Sequence, residues 1–195
     1  MISTVVPTLQ GWCSVERASA LFSIVIARKP KMVLEIGTHA GRSFLPMCWA
    51  LRRNGRGKAM GIDAYSGQVA AQDETPSNAE FWGDQSIHND ARKTFEWLMK
   101  RYNMDEIVQL IVSPSDAVTP VESEVLHIDG SHVEANIRDA ERFGAKVPLG
   151  GIVIMDDIQW TLGCVLRAID TLEEMGFEEV FRSEDGSWNI MHKVK

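Results

Sequence analysis

Three aspartates follow two short apolar runs of the sequence, and their spacing predicts a shared site. Asp129 ends the run Leu126–Asp129, and Asp156 and Asp157 come directly after Gly151–Met155. Runs of this kind are typical of buried parallel strands, whose carboxyl ends open into one crevice, so we expect the three carboxylates to converge. Crowded carboxylates repel each other unless protons or a cation intervene. Oxygen ligands in this number favour Mg²⁺, Mn²⁺ or Ca²⁺ over Zn²⁺.

A two-glycine turn lies earlier in the chain. Between an apolar run and a helical pattern, Glu35–Ser43 carries Gly37 and Gly41, which permit a tight turn and the close approach of a ligand or a helix. Amide groups at the start of the following helix attract anionic groups, whereas the carboxylate of Glu35 suits a cationic ligand or its amino group. Asp63 ends the next apolar run, where an acid accepts hydrogen bonds from ribose hydroxyls. The two features together indicate a ligand site at the ends of the first two strands.

The elements that must position these residues alternate between strands and helices. Nearly continuous apolar strands between helices indicate a parallel sheet covered on both faces. Asp185-Gly186 is a strong hairpin signal near the C-terminus. The pattern predicts an α/β sandwich of three layers with a seven-stranded, mostly parallel sheet that ends in an antiparallel hairpin. The predicted strands are 32–37, 59–63, 107–112, 124–129, 151–155, 178–183 and 188–193, and the predicted helices are about 12–28, 43–53, 84–101, 132–146 and 163–175.

Length and composition fit one domain over residues 1–195. Of these residues 45% are hydrophobic and 24% are charged, as in ordinary globular proteins. Residues 1–31 are predicted to form an N-terminal helical segment. Residues 66–84 show little periodicity, and loops of that length often cover a binding site. We therefore predict that residues 66–84 form a lid or an acceptor loop, with a mobile surface insertion as the alternative.

Charge and apolar patterning exclude several kinds of partner. The net charge of −7 argues against sequence-independent binding to nucleic acid phosphates. The most apolar stretch, Ala18–Ala27, is shorter than the ~20 residues of a membrane span and follows no basic residues of an export signal. Three cysteines without C-x-x-C spacing are typical of reduced, mostly buried thiols. We expect a cytoplasmic protein that binds neither nucleic acid nor a membrane.

At the glycine turn and the next strand, the sequence resembles the class I S-adenosylmethionine-dependent methyltransferases. Val33–Ser43 looks like the first motif of that family, and Gly61–Asp63 looks like its second. Ser113–Ala117 follows the third strand, where the family contacts adenine. The resemblance covers about 32–195 and implies a Rossmann-like fold with S-adenosyl-L-methionine as the cofactor. The cofactor-binding residues that it implies are Glu35, Gly37, Thr38, Gly41, Ser43, Asp63, Ser115, Asp116 and Asp129.

The residues after the fourth and fifth strands narrow this resemblance. D-G-x-H at Asp129–His132, together with Asp156-Asp157, is similar to the small-molecule O-methyltransferases that need a divalent metal. That branch implies a metal, Mg²⁺ above others, held by Asp129, Asp156 and Asp157. It also implies His132 as the general base, with Asp129 beside it in the catalytic site. The expected acceptor is a hydroxyl of a sugar, a phenol or a polyketide, and a second subunit that completes its site would make the protein a homodimer.

Other functions share parts of this pattern. An NAD-binding oxidoreductase has the same layers and an acid after the second strand, but the chain lacks G-x-G-x-x-G. A DNA or protein amino-methyltransferase would carry an Asp/Asn-Pro-Pro-aromatic run where this chain has Asp-Gly-Ser-His. A protein that binds S-adenosylmethionine or S-adenosylhomocysteine without turnover would show no dependence on a metal. Fold alone does not separate these functions.

Each candidate residue also has a purely structural interpretation. Glu35 would cap the neighbouring helix and pair with Arg42, and Asp63 would be an ordinary turn acid. The three strand-end aspartates would bind only amides or water. His132 would serve as a residue at a helix start, and His127, inside the fourth strand, is predicted to be a satisfied core histidine.

Overall fold

The computed structural model describes residues 1–160 and 162–195, and a seven-stranded sheet runs through it. The bounds of each strand lie within about two residues of those predicted. The strands are β1 (Met32–Ile36), β2 (Lys58–Asp63), β3 (Val108–Val112), β4 (Val125–Ile128), β5 (Ile152–Met155), β6 (Phe177–Arg182) and β7 (Asn189–Lys193).

The strands lie in the order β3-β2-β1-β4-β5-β7-β6. β1 to β5 are parallel to one another, and β7 inserts antiparallel between β5 and β6. The order in which strands are added reverses next to β1: β2 and β3 follow on one side of β1, and β4 and β5 lie on the other. Open α/β sheets bind ligands at such a switch point, beyond the carboxyl ends of the strands. The predicted mostly parallel sheet with a C-terminal antiparallel hairpin is confirmed.

Helices cover both faces of the sheet. α2, α3 and α6 pack on one face, and α7 and α8 pack on the other. The hydroxyl of Ser14 caps α2 by accepting a hydrogen bond from the amide of Arg17, which satisfies one of the free donors at a helix start. The helices are α1 (Ile2–Val5), α2 (Val15–Arg28), α3 (Phe44–Asn54), α4 (Gly67–Ala70), α5 (Pro76–Trp82), α6 (Gln85–Arg101), α7 (Glu134–Gly144) and α8 (Cys164–Glu174).

The alternation of side chains along the central strands sends polar residues to a chosen face. In β1, Leu34 and Ile36 pack towards α7 and α8, so Glu35 between them turns towards α2 and α3. In β4 the same alternation turns His127 towards α2 and α3. Glu35 and His127 are direct neighbours in the register of the two strands. A buried acid and a buried imidazole therefore lie side by side beneath α2.

Residues 66–84 are more ordered than their composition indicates. The expected irregular loop contains α4 and α5, and it is anchored where Gln85 accepts a hydrogen bond from the amide of Gly67 and donates one to the carbonyl of Tyr65. Ser66 caps α4, and a proline opens α5, which explains how a segment without long periodicity forms short helices. Its role as a lid stays a prediction.

The remaining expectations concern thiols and the membrane. All three cysteines are free, and Cys13 and Cys48 are buried. Burial raises the pKa of Cys13 to about 11, which keeps that thiol protonated. In the part of the chain that the structure describes, every helix is too short or too polar to cross a bilayer.

Candidate functional site

A cavity of about 290 Å³, here called the strand-end cavity, opens beyond the carboxyl ends of β1, β2 and β4. The predicted cofactor residues divide around it. Gly37, Asp63, Ser115, Asp116 and Asp129 line the strand-end cavity, whereas Thr38 and Ser43 line a different one and Glu35 and Gly41 line neither.

The two glycines of the turn, Gly37 and Gly41, have different structural roles. Gly37 has a φ of +87°, and a Cβ there would lie 2.0 Å from the backbone oxygen of Asp129. The ends of β1 and β4 can approach this closely only because Gly37 has no side chain. Gly41, with a φ of +86°, faces Phe95 of α6, whose ring a Cβ would meet at 3.1 Å. Gly41 therefore serves helix packing rather than the approach of a ligand.

Asp63 holds the backbone around the strand-end cavity. Its two carboxylate oxygens accept hydrogen bonds from the amides of His39 and Tyr65, each at 2.8 Å. Burial outweighs these amides and raises the pKa of Asp63. His39 and Tyr65 both have positive φ, of 42° and 45°, and such strained residues cluster at binding sites. Asp63 thus fulfils the structural interpretation and also lines the strand-end cavity.

The far end of the strand-end cavity is formed by Ser115, Asp116 and Asp139. Arg142 donates hydrogen bonds to the carbonyl oxygens of Ser115 and Val118 and so fixes the turn after β3. Burial raises the pKa of Asp139 to about 6, in spite of its hydrogen bond with Ser115. Asp139 was not among the residues predicted from the sequence, although its helical spacing from Ala140 and Phe143 on the buried face of α7 could have indicated it.

A second cavity, of about 360 Å³, lies between the first residues of the chain and the ends of β4 and β5, and we call it the N-terminal cavity. Trp12 and Arg17 reach it from the N-terminal segment, and Phe81 and Trp82 reach it from α5. Both predicted segments without motifs, 1–31 and 66–84, therefore contribute walls. The residues that line both cavities are Gly37, His39, Trp82, Asp129, Gly130 and His132.

Arg17 is the main charged residue of this cavity that was not predicted from the sequence. Its guanidinium forms an ion pair with Oδ1 of Asp156 and donates a hydrogen bond to the carbonyl of Trp12. Both partners are buried, Arg17 at 7% and Asp156 at 2% exposure. The signal for Arg17 is its spacing, because it falls on the face of α2 that carries Leu21 and Val25.

Glu35 differs from both interpretations of the sequence. It is completely buried and lines neither cavity, so it is not placed to touch a ligand, and it does not pair with Arg42. Instead Nδ1 of His127 lies 2.6 Å from Oε1 of Glu35. The reason is the strand register, which sets the two residues side by side on one face of the sheet. Arg42 donates to the carbonyl oxygens of Leu9 and Gly11 and so ties down the N-terminal segment.

His132 occupies the boundary between the two cavities. Nε2 of its ring is 2.8 Å from Oδ2 of Asp157, and Nδ1 is 3.5 Å from Oε1 of Glu74 in the segment 66–84. The ring stacks on Trp160 with centroids 4.0 Å apart. Burial disfavours the charged imidazole, but the hydrogen bond and the charge of Asp157 outweigh burial and raise the pKa of His132. His132 is thus oriented on three sides.

Of the three predicted metal ligands, Asp129 and Asp156 lie close together, whereas Asp157 does not join them. Asp157, with a φ of 53°, turns to His132, and this hydrogen bond lowers the pKa of Asp157 against the effect of burial. Within residues 1–160 and 162–195, the one group of three potential ligand residues with all ligand atoms within 4.8 Å is His127, Asp129 and Asp156. Burial raises the pKa of Asp129 to about 7, although His127 and Arg17 oppose the shift. Asp157 follows Asp156 directly, and its side chain turns to His132 and away from the group that contains Asp156.

Comparison with known proteins places the chain in a family. Residues 34–158 match the model of a family described as a methyltransferase domain. None of the curated proteins matches the sequence.

Solved structures share the fold at low sequence identity. The O-methyltransferase from Bacillus cereus in complex with SAH matches with a TM-score of 0.67 and 14% identity, over 100% of this chain and 89% of that chain. The O-methyltransferase NovP matches with a TM-score of 0.70 and 17% identity, over 93% of this chain and 81% of that chain. The O-methyltransferase TomG from Streptomyces achromogenes, involved in tomaymycin synthesis and solved in complex with SAM, matches with a TM-score of 0.59 and 15% identity, over 97% and 83%.

Proposed function

The chain belongs to the methyltransferase-domain family, and on that premise we propose that it transfers the methyl group of S-adenosyl-L-methionine to a hydroxyl of a small molecule, assisted by a divalent cation. The observation that carries this proposal is the junction of the two cavities. A group-transfer enzyme must hold a donor and an acceptor in contact, and Gly37, Asp129 and His132 line both cavities where they meet.

We assign the cofactor to the strand-end cavity. Its walls join apolar side chains such as Ile36 and Ile62 to the polar groups of Asp63 and Ser115, a combination that suits a nucleoside. The carboxylate of Asp63 would accept hydrogen bonds from the ribose hydroxyls with the lone pairs that the backbone amides leave free. Asp129, at the junction, borders both this cavity and the N-terminal cavity.

We assign the acceptor to the N-terminal cavity. Four aromatic side chains, those of Trp12, Phe81, Trp82 and Trp160, line it together with polar and charged ones. Trp12 packs edge-on against Trp82 at 5.6 Å and tilts over His39 at 5.5 Å. Flat aromatic walls favour a flat, apolar acceptor body, which supports a phenol over a sugar among the expected acceptors.

His132 is the proposed general base. S-adenosyl-L-methionine, when bound, would supply the methyl group to the acceptor oxygen, with S-adenosylhomocysteine as the leaving group. Nε2 of His132 donates to Asp157, so Nδ1 would accept the proton of the hydroxyl, and the carboxylate of Glu74, 3.5 Å away, would stabilise the imidazolium that results. Trp160 and Asp157 hold the ring in place for this transfer. A divalent cation, when bound, would lower the pKa of the acceptor hydroxyl. The carboxylates of Asp129 and Asp156 would hold it, since Oδ2 of Asp156 is buried without a hydrogen-bond partner among the described residues.

Calorimetric titration with S-adenosylhomocysteine, once with EDTA and once with Mg²⁺, tests the cofactor site. Asp63→Asn should weaken binding at least about tenfold, because the amide group satisfies fewer of the donors around it. Asp170→Asn, an exposed position on α8, is the matched control and should bind as the native chain does. Absence of binding in the native chain would overturn the proposal. Binding of NADH instead would favour an oxidoreductase.

Turnover then separates an enzyme from a binding protein. Hydroxylated aromatic acceptors are supplied with S-adenosyl-L-methionine and a divalent cation, and methylated product is measured by mass spectrometry. His132→Gln should reduce product formation at least about 100-fold while S-adenosylhomocysteine still binds, in line with the usual contribution of a general base. Equal activity in the variant would remove the proposed role of His132.

A further inference from the structure

Two buried groups of the sheet face each other without partners. Nε2 of His127 and Oδ2 of Asp156 lie 3.8 Å apart, and neither has a hydrogen-bond partner among the residues that the structure describes. Both side chains are almost completely buried, His127 at 0% and Asp156 at 2% exposure. Buried polar groups are nearly always satisfied, so a pair of unsatisfied atoms needs an explanation.

The hydrogen bond between Nδ1 of His127 and Glu35 bears on whether Nε2 of the same ring is a donor or an acceptor. When Nδ1 of His127 donates to Glu35, a neutral imidazole presents Nε2 as an acceptor. Two acceptors then face each other across 3.8 Å, which is too long for a hydrogen bond. Two ligands at about 2.0 to 2.2 Å from one ion can span such a gap. An acceptor pair of this kind matches a cation between the two atoms.

Asp129 supplies a third ligand from the same face of the sheet. It lies two residues after His127, and its ligand atom is within 4.8 Å of the other two. Arg17 and the amide of Asp157 both bind Oδ1 of Asp156. Oδ2 of Asp156 is therefore the oxygen left for a ligand. Asp129 also lines both cavities, so the group borders the junction where donor and acceptor would meet.

We propose that His127, Asp129 and Asp156 form a cation site in which Glu35 orients the imidazole, and that this site prefers transition ions such as Mn²⁺ and Co²⁺ over Mg²⁺. The inference rests on the proposed function, whose cation it assigns to particular ligands. It replaces Asp157 of the expected three-carboxylate set by a histidine. Imidazole suits transition ions, whereas Mg²⁺ takes oxygen ligands almost alone.

Glu35 completes this assignment. A histidine that binds a metal commonly donates its second nitrogen to a carboxylate, which fixes the tautomer and the ring. Glu35 has this relation to His127, because the register of β1 and β4 sets Oε1 of Glu35 2.6 Å from Nδ1 of the imidazole. A buried acid that touches neither cavity thus gains a function as a positioning residue.

Metal binding is measured directly, without turnover. The full chain is stripped with EDTA and titrated with Mn²⁺, and free Mn²⁺ is followed by electron paramagnetic resonance. Asp156→Asn should raise the Kd for Mn²⁺ at least about 100-fold, and Glu35→Gln should raise it about 10- to 100-fold. Asp157→Asn should change the Kd less than about threefold. Mg²⁺ should displace Mn²⁺ only at a concentration at least about tenfold higher.

The ligand nitrogen has its own signature. Pulsed electron paramagnetic resonance of bound Mn²⁺ should show coupling to an imidazole nitrogen in the native chain and in His132→Gln, and should lose it in His127→Gln. If His127→Gln does not fold, the native spectrum together with Asp157→Asn and His132→Gln still decides. Loss of Mn²⁺ binding in Asp157→Asn, or of the nitrogen coupling in His132→Gln, would overturn the proposal.

The two proposals fail in different ways. If the native chain binds S-adenosylhomocysteine but neither Mn²⁺ nor Co²⁺, the cation site is wrong and the cofactor assignment stands. If it binds Mn²⁺ through an imidazole but no S-adenosylhomocysteine, the ligand set stands and the proposed function is wrong. Tighter binding of Mg²⁺ than of Mn²⁺ would contradict the proposed preference.

Discussion

The strand-end cavity and the N-terminal cavity share a boundary but are built in different ways. The strand-end cavity is shaped by backbone, since Gly37 lets two strand ends touch and Asp63 binds two amides. The N-terminal cavity is shaped by side chains from distant segments, among them Trp12, Arg17 and Trp160.

This difference has a physical basis. Turns after parallel strands recur in every open α/β sheet, so a cavity made by them is a property of the fold and suits a common cofactor. Side chains that meet across the chain are free to differ from protein to protein, as suits an acceptor that differs. Variants in each cavity can test the contrast, beginning with the one that should have the largest effect.

Gly37→Ala should have the largest effect on stability, because the added Cβ would clash with backbone that lines both cavities. A Cβ would lie 2.0 Å from the oxygen of Asp129 at a φ of +87°, so we expect a loss of about 5 kcal/mol in the free energy of unfolding. Urea denaturation measures the loss. Gly55→Ala, with a φ of +67° and nothing within 4 Å of the added Cβ, is the control and should lose about 1 kcal/mol. Similar losses in both variants would show that the close approach at Gly37 is not critical.

Arg17→Met tests the charged side of the N-terminal cavity. Removing the guanidinium leaves Asp156 buried without its partner, which should lower the free energy of unfolding by about 3 to 4 kcal/mol. Arg167→Met removes the exposed pair with Glu134 and should cost less than about 1 kcal/mol. Equal costs, measured by urea denaturation at neutral pH, would mean that burial does not distinguish Arg17.

Asp139→Asn tests the electrostatics of the strand-end cavity. The pKa of Asp139 is raised to about 6 in the folded protein, so the folded state holds this proton more tightly than the unfolded state does. This difference stabilises the folded state fully below about pH 4. As the pH rises from about 4 to about 6, the free energy of unfolding should fall by roughly 3 kcal/mol. The variant should therefore show a smaller fall in unfolding free energy between pH 4 and pH 7. Asp170→Asn should follow the native chain, and an unchanged fall in Asp139→Asn would refute the prediction.

Trp12→Ala should have the smallest effect on stability and a selective effect on binding. The side chain is 66% exposed, so its loss should cost less than about 1 kcal/mol of stability. Loss of an aromatic wall should weaken binding of catechol, used as the probe, about threefold to tenfold. Binding of S-adenosylhomocysteine should not change. Trp97→Ala, which removes a 58% exposed ring on α6 outside both cavities, should alter neither affinity.

Much of the fold followed from local patterns. Apolar runs, their helical neighbours and the turn at Asp185-Gly186 predicted every strand and the antiparallel end of the sheet, because these signals reside in adjacent residues. The same locality placed Gly37, Asp63 and Asp129 at strand ends that share one edge. The short helices α4 and α5 in residues 66–84 were not predicted, because helices of four and seven residues are too short to show a helical period.

The partners of the buried charges did not follow from the sequence. Glu35 and His127 are 92 residues apart and meet through the register of β1 and β4, and Arg17 meets Asp156 only because α2 packs over those strands. Sequence spacing establishes which residues end a strand, since the end of a strand is a local event. The partner of a buried charge depends on which strands are neighbours and which helix covers them, because the cost of burying a charge is met only by groups that packing brings within a few ångströms.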